Sequence, residues 1–373
     1  MLRAVTGPHS SAGGDGRSVL VRCLLDPTST LELTPRDWNR LLLQARTSGL
    51  IGRLEASLRE AAVFNQAPFK ARSHMHAGAI AVLSTQTAVR FEVDRILRAL
   101  RGVDVPLLLM KGSAYVHAGL HAARGRFVGD VDLMVPRRHI DAVERRLVEC
   151  GWVAADLGAY DQRYYREWAH EIPPLQHPDR DTPVDVHHTI LPLTARMRPD
   201  AAAILSAAVP LADARLQVMA PADMVLHSAV HLFNDEVSMP LRDLFDQHDL
   251  LQEFGAGPEF WASLLERARL HGLQRPAFYL LRQLRRTLST PVPEQVFEAT
   301  RGWGPPAPVA ALMALLLDLR FEVDERASPR PAKSLAVFAL YLRAHWLRMP
   351  PGLLVRHLAV KSWRRWRGEA PAG

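Results

Sequence analysis

The stretch LLLMKGSAYVHAGLHAARGRFVGDVDLMV, residues 107–135, decides the fold because it carries the signals for a strand, a helix and a second strand in quick succession. The apolar run Pro106–Met110 predicts a buried strand, SAYVHAGLHAA predicts a short helix, and Val131–Val135 predicts a second strand. Side chains two residues apart on a strand point to the same face. We therefore expect the carboxylates of Asp130 and Asp132 to project together where the second strand begins.

A third carboxylate lies on a later apolar segment, TPVDVHHTI, residues 182–190, whose alternation of valines with polar residues predicts another strand. Carboxylates that lie close together repel each other unless cations separate them, and Mg²⁺ prefers carboxylate and phosphate oxygens. Asp130, Asp132 and Asp185 are therefore the candidate metal ligands and catalytic residues of a two-ion site, with Mn²⁺ as the alternative ion. The competing interpretation is that the first two are ordinary strand-end residues and that a shift in register turns Asp185 away.

Residues suited to binding a phosphate flank these acids. Gly112 and Ser113 fall where the first strand gives way to a helix, where backbone N–H groups and the helix dipole can hold an anion. Lys111 and Arg126 add positive charge on either side of the carboxylate strand, which suits a nucleoside triphosphate or a leaving pyrophosphate. These four residues form the predicted nucleotide-binding set. The alternative for the two cations is that they only neutralise buried carboxylates.

Taken together, Gly112–Ser113, Asp130–Val131–Asp132 and Asp185 resemble the DNA polymerase β-type nucleotidyltransferase superfamily. The segments LLMKGSA, RFVGDVDLMV, VDVHH, LHSAVHLF and LRDLFDQHDLL are similar to its branch of bacterial uncharacterised nucleotidyltransferases, over roughly residues 85–255. The resemblance implies that the acids bind two Mg²⁺ ions and that the Gly-Ser segment holds an NTP. Two features depart from the superfamily pattern: the sixteen residues between Ser113 and Asp130 exceed its usual spacing, and the lysine before the glycine is a trait of the branch.

Four histidines are weaker candidates for function. His170, in WAHEIPPL, and His187, on the strand of Asp185, are candidates for the acceptor side of the site, with a polar strand-end role as the alternative for His187. His227 and His231 have the spacing of a helical metal site, but no glutamate accompanies them as it does in zinc proteases. We interpret this second pair as packing or capping residues.

The fold class predicted from these patterns is α+β, with a small mixed β-sheet as a nucleotidyltransferase core flanked by helical regions. Thr34 and Pro35 begin the first amphipathic helix, and a second long helix ends before residue 101. The charged residues of LRDLFD, 241–246, are expected to tie the C-terminal helices to the core by ion pairs, with contact to the base or ribose as the alternative. The predicted division is a flexible lead-in at 1–18, an N-terminal helical region at 19–101, the catalytic core at 102–215 and a C-terminal helical region with a basic tail at 216–373.

Composition limits the class of protein. The chain has 373 residues, of which 48% are hydrophobic, and only two cysteines, Cys23 and Cys150, which form neither a disulfide framework nor a zinc motif. Apolar runs are shorter than the roughly 18–20 residues of a membrane-spanning helix, and the N-terminus lacks the pattern of a secretion signal. We expect a soluble, cytoplasmic protein with no transmembrane segment.

The net charge of +7 is concentrated near the C-terminus, because residues 325–373 contain ten Lys or Arg against two Glu, a local charge of +8. Within this region, YLRAHWLRMPPGLLVRHLAVKSWRRWR interleaves aromatic and basic residues. Such a segment can bind single-stranded nucleic acid, an acidic partner or a membrane surface, or can be an amphipathic helix docked on its own domain. Nucleic acid is therefore one candidate partner beside the NTP.

The function predicted from the sequence is Mg²⁺-dependent transfer of a nucleoside monophosphate from an NTP to an unidentified acceptor, which is RNA, a protein or peptide, or a small molecule. The first alternative is a catalytically inactive nucleotide- or RNA-binding module on the same fold. A third hypothesis is a partner-binding protein in a peptide or polysaccharide pathway, which rests on analogy alone.

Overall fold

The computed structural model describes residues 17–155, 163, 165, 168–234, 239–323, 330–350 and 352. The predicted lead-in at 1–18 lies outside the described residues except for its last two positions. The predicted basic tail beyond residue 352 also lies outside them.

Four helices precede the sheet among the described residues, and the first residues of the second, α2 (Pro35–Thr47), show why it begins where it does. The Thr34 side chain accepts from the backbone N–H of Asp37, the Asp37 side chain accepts in return from the backbone N–H of Thr34, and Pro35 occupies the first turn, as the sequence predicted. The described helices in this region are α1 (Val19–Leu25), α2 (Pro35–Thr47), α3 (Ile51–Glu60) and α4 (Phe69–Ala99), with 3₁₀ turns at Pro27–Glu32 and Phe64–Gln66.

A mixed sheet of seven described strands follows, in the order β3-β4-β5-β2-β1-β7-β6, and it confirms the predicted α+β class. Its strands are β1 (Leu107–Leu109), β2 (Val131–Met134), β3 (Val153–Ala154), β4 (Leu175–Gln176), β5 (Val184–His187), β6 (Val209–Pro210) and β7 (Leu216–Val218). The connecting helices are α5 (Lys111–Ala118), α6 (Ile140–Glu149) and α7 (Ala201–Ser206), with 3₁₀ turns at His121–Ala123 and Arg137–His139. Strand β7, just past the predicted core boundary at 215, pairs with β1 inside this sheet.

The centre of the sheet determines the geometry of the site. Strand β1 pairs antiparallel with β2, and β2 pairs parallel with β5. All residues of β1 and β2 are buried, as expected for strands covered on both faces. Because neighbouring strands lie about 4.8 Å apart, residues opposite each other on β2 and β5 are close neighbours.

Helices make up the described part of the chain after β7. They are α8 (Pro221–Asn234), α9 (Pro240–Phe254), α10 (Pro258–Leu270), α11 (Gln274–Leu288), α12 (Glu294–Ala299), α13 (Ala307–Phe321) and α14 (Pro331–Arg348), with a 3₁₀ turn at Arg301–Trp303. Among the described helices none is alone long and apolar enough to cross a membrane. One pair bent by 114°, Glu294–Trp303 with Ala307–Phe321, meets the length and composition requirement only when taken together.

A buried ion-pair network joins the three parts of the chain. Asp246, on α9, accepts from Arg53 of α3 at 2.9 Å and from Arg126 of the core at 2.6 Å. The side chains of these three residues are 10% exposed or less. Arg53 also pairs with Asp249. The ion pairs expected from LRDLFD are therefore present, and Asp246 holds a helix from each flank against the core.

Because Asp246 compensates two buried guanidinium groups, Asp246→Ala is expected to lower the free energy of unfolding by about 3–5 kcal/mol. The matched control is Glu294→Ala, which removes a carboxylate paired at 2.9 Å with Arg285 on the surface and should cost less than about 1 kcal/mol. Urea denaturation measures both values. Equal losses for the two variants would contradict the network's structural role.

Candidate metal and nucleotide site

The parallel pairing of β2 with β5 brings the three predicted acids together. Asp132 and Asp185 are direct partners in the strand register, and Asp130 comes just before β2. One carboxylate oxygen from each of the three lies within 4.8 Å of the other two. The register shift that would have turned Asp185 away does not occur.

The two oxygens of Asp132 have different surroundings. Oδ1 lies 2.7 Å from Lys111 Nζ and 3.0 Å from His187 Nε2. Oδ2 is buried and has no hydrogen-bond partner among the described residues, and the same is true of Asp185 Oδ1. Buried oxygens without partners are costly, and a hard divalent cation is the partner that carboxylate oxygens favour. The donor set therefore fits a metal ion bound by Asp130, Asp132 and Asp185.

The crowding of like charges also shifts the protonation of the acids. The pKa of Asp130 is raised, mainly by the negative charge of Asp132 and to a smaller extent by burial. The pKa of Asp185 is raised well above its usual range, mainly by burial and to a smaller extent by the neighbouring carboxylates. For Asp132, burial acts in the same direction, but the charge of Lys111 and the hydrogen bond from His187 outweigh it and lower the pKa. Protein cations thus neutralise the negative charge of Asp132, whereas Asp130 and Asp185 have too little positive charge beside them to do the same.

The junction between β1 and α5 supplies the predicted phosphate-binding residues. Lys111 has a φ of 47°, in the left-handed region that residues other than glycine seldom adopt, and strain of this kind is concentrated at functional sites. A Cβ atom on Gly112 would overlap Arg126 Nη1 and crowd the Val128 side chain, so glycine allows the arginine to approach the helix. Ser113 is buried, and its Oγ lies 2.8 Å from the carbonyl of Met110. The predicted contact of Ser113 with phosphate stays a prediction.

A cavity of about 340 Å³ opens beside the acids. The predicted residues on its wall are Lys111, Gly112, Arg126, Asp130 and Asp132. The opposite wall comes from the C-terminal helices and includes Ser228, His231, Arg242 and Asp243. Sequence analysis did not place Ser228 or His231 at the site. It gave Arg242 and Asp243, in LRDLFD, a contact with the base or ribose only as the alternative to ion pairing, and their position on this wall is consistent with that alternative.

His187 lies behind the acids. Its side chain is 2% exposed, with Nδ1 3.2 Å from Glu171 Oε2 and Nε2 3.0 Å from Asp132 Oδ1. The ring of His170 lies 5.2 Å from that of His187, and His170, Glu171 and His187 form a second group close enough to bind a metal ion. In the described structure His187 therefore bridges two carboxylates. The acceptor-side role of His170 and His187 stays a prediction.

The other two histidines, His227 and His231, have different surroundings. His227 is buried, and burial together with the charge of Lys111 lowers its pKa to about 3, which keeps the ring neutral and fits the packing role predicted for it. His231, one turn further along α8, lies on the cavity wall. Only the first of the pair is therefore a core residue.

The α+β fold presents three convergent acids beside a cavity lined with cationic side chains. This is the arrangement that the resemblance to nucleotidyltransferases implies. A family model described as uncharacterised nucleotidyltransferase matches residues 34–289, which is about two thirds of the chain and includes the seven described strands. The chain belongs to this family and is a transferase of the nucleotidyltransferase type. No curated protein and no solved structure matches it. The wider kinship with DNA polymerase β and the bacterial origin stay predictions from the sequence.

If the three acids form an ion site, Mn²⁺ should bind the wild-type protein and raise its melting temperature, whereas Asp185→Asn should weaken Mn²⁺ binding about tenfold or more. Electron paramagnetic resonance of free Mn²⁺ measures the binding. In a chelating buffer the variant should melt no lower than the wild type, since it removes like-charge repulsion. Asp179→Asn, at a surface carboxylate that is 89% exposed, is the control and should leave Mn²⁺ binding unchanged. Equal Mn²⁺ affinity in the wild type and Asp185→Asn would contradict the assignment.

Proposed function

We propose that the protein is a Mg²⁺-dependent nucleotidyltransferase that moves a nucleoside monophosphate from an NTP to a hydroxyl or phosphate of an acceptor. RNA, a protein or peptide, and a small molecule are the candidate acceptors. The observation that carries the proposal is the meeting of Asp130, Asp132 and Asp185 within 4.8 Å beside a cavity of about 340 Å³. Membership of the nucleotidyltransferase family supports the same reaction class.

The three acids are the residues that would hold divalent ions. When bound, such ions supply Lewis-acid charge at the transferring phosphoryl group and at the acceptor oxygen. The strand register positions Asp132 against Asp185 without any loop movement, so the carboxylates are preorganised on rigid elements. Catalysis by positioning and electrostatic stabilisation requires this rigidity.

Two cations on the cavity wall have different freedom to bind the triphosphate. The Lys111 side chain is 24% exposed and pairs with Asp132, so its ammonium group can redistribute between the carboxylate and a phosphate oxygen. Arg126 is held at Asp246, and although its burial alone would lower the pKa, the charges of Asp246 and Asp243 raise it. We therefore assign the direct phosphate contact to Lys111 and a fixed positive field to Arg126.

The alternative function is a catalytically inactive nucleotide- or RNA-binding module. Such a module would use the same cavity but would not convert the NTP. The presence of all three acids, with unpartnered oxygens on two of them among the described residues, supports turnover. The two functions differ in one observable, because the module would bind NTP without releasing pyrophosphate.

Replacing single acids should separate catalysis from folding. Asp130→Asn and Asp185→Asn should each lower nucleotidyl transfer about a thousandfold, because each removes a ligand whose charge is needed at the transferring group. The assay supplies each α-labelled NTP with Mg²⁺ and fractions of a cell extract, and follows both label uptake and pyrophosphate release. Asp179→Asn should retain wild-type transfer. Wild-type activity in either site variant would overturn the proposal, and Mg²⁺-dependent NTP binding without pyrophosphate release would favour the inactive module.

Lys111→Met distinguishes phosphate binding from simple neutralisation of Asp132. If Lys111 contacts the triphosphate, the KM for NTP should rise about tenfold or more. If the lysine only compensates Asp132, the KM should stay constant, and Mn²⁺ should bind more tightly because a competing cation is gone. Lys111→Arg, which keeps the charge, should partly restore the KM.

A further inference from the structure

Two histidines and a glutamate come together beside the three acids, on backbone that is held to the sheet. Glu171, in the segment before β4, forms an antiparallel bridge with His187 of β5, and the backbone N–H of His188 donates to the carbonyl of His170 at 2.9 Å. One ligating atom from each of His170, Glu171 and His187 lies within 4.8 Å of the other two. We call these three residues the His-Glu-His cluster.

The separations within the cluster are those between ligands of one small metal ion. His187 Nδ1 lies 3.2 Å from Glu171 Oε2, and His170 Nε2 lies 3.8 Å from the same oxygen. Two ligands bound at about 2.0–2.1 Å to a tetrahedral ion lie roughly 3.3 Å apart. The first separation matches this value, and the second is slightly longer, between side chains that are 18% and 21% exposed and can turn inward. Their partial exposure also gives an ion a path of entry.

His187 presents a buried ring nitrogen to the cluster. Its Nε2 lies 3.0 Å from Asp132 Oδ1, and because a carboxylate only accepts hydrogen bonds, Nε2 carries the proton of the neutral ring. The lone pair is then on Nδ1, which is buried and has no hydrogen-bond partner in the described part of the chain. Glu171 Oε2 is close to Nδ1, but the contact lacks the geometry of a hydrogen bond. A cation between this nitrogen and the carboxylate would satisfy both groups.

We propose that the His-Glu-His cluster binds a transition-metal ion of the Zn²⁺ class, at a site separate from the one assigned to Mg²⁺ at the acids. Imidazole ligands favour Zn²⁺, whereas sites built from oxygen ligands alone suit Mg²⁺. Three protein ligands leave the fourth position of a tetrahedral ion open to water or to a substrate. Metal-bound histidines regularly donate their other ring N–H to a carboxylate, and Asp132 is that carboxylate for His187. The ion would therefore fix the orientation of His187 against Asp132, and its binding does not depend on nucleotidyl transfer.

Zn²⁺ binding to the full-length protein tests the proposal, measured by competition with a chromophoric chelator in millimolar Mg²⁺, which occupies the acid site. The wild type should bind Zn²⁺ under these conditions, and Zn²⁺ should raise its melting temperature. Glu171→Gln keeps the size of the side chain and removes its charge, and His170→Ala removes an imidazole ligand. Each variant should weaken Zn²⁺ binding by about tenfold or more, because each removes one of three protein ligands. Both side chains are partly exposed, and far-UV circular dichroism shows whether the variants are folded.

The matched control is His177→Ala. The His177 side chain is 19% exposed and its Nδ1 lies 3.8 Å from a carboxylate oxygen of Asp179, so it resembles His170 in burial and in its acidic neighbour but lies outside the cluster. This variant should bind Zn²⁺ as the wild type does, and so should Asp185→Asn, which removes a ligand of the acid site only. Failure of the wild type to bind Zn²⁺ in the presence of Mg²⁺ would overturn the proposal, as would equal Zn²⁺ affinity in the wild type and Glu171→Gln. Loss of Zn²⁺ binding in Asp185→Asn would place the ion at the acids and would also overturn it.

Discussion

Mutual repulsion among three carboxylates that meet at one point of the sheet is the constraint on which the rest of the site depends. The pairing of Asp132 with Asp185 across parallel strands makes the encounter unavoidable once the sheet has formed. Lys111 and His187 compensate Asp132 through its Oδ1 only, and both lie against the same oxygen. Buried oxygens on Asp132 and Asp185 are left without a protein donor among the described residues. The fold thus creates a deficit of positive charge at one place, and a divalent cation is the simplest group that removes it.

Ion pairs also connect the site to the rest of the fold. Asp246 stands between Arg53 and Arg126, so the carboxylate that fixes the C-terminal helices also fixes a cation of the cavity wall. Gly112 is part of this arrangement, because a side chain there would occupy the space of the Arg126 guanidinium. The helical flanks are therefore structural supports of the cavity, and α8 and α9 supply one of its walls.

Local patterns were sufficient to predict the central strands of the sheet and to select the three acids as candidates, but they did not predict β3, β4, β6 or β7. Alternation and capping signals predicted β1, β2, β5 and the start of α2, and the two-residue period placed Asp130 and Asp132 on one face. What local patterns could not supply was pairing between distant segments. The bridge from Glu171 through His187 to Asp132 needs a strand partner that no sequence period reveals, and the approach of His231 and Arg242 to the cavity depends on how α8 and α9 pack. Long-range ion pairs were predicted for LRDLFD, but their partner Arg53, nearly two hundred residues away, was not identified.

The most direct test of the central claim is an anomalous difference map from crystals grown with Mn²⁺ and a non-hydrolysable NTP. Manganese density should lie about 2.1–2.3 Å from carboxylate oxygens of Asp130, Asp132 and Asp185, with the triphosphate in the adjoining cavity. Ordered nucleotide elsewhere, with no manganese among these three side chains, would contradict the account.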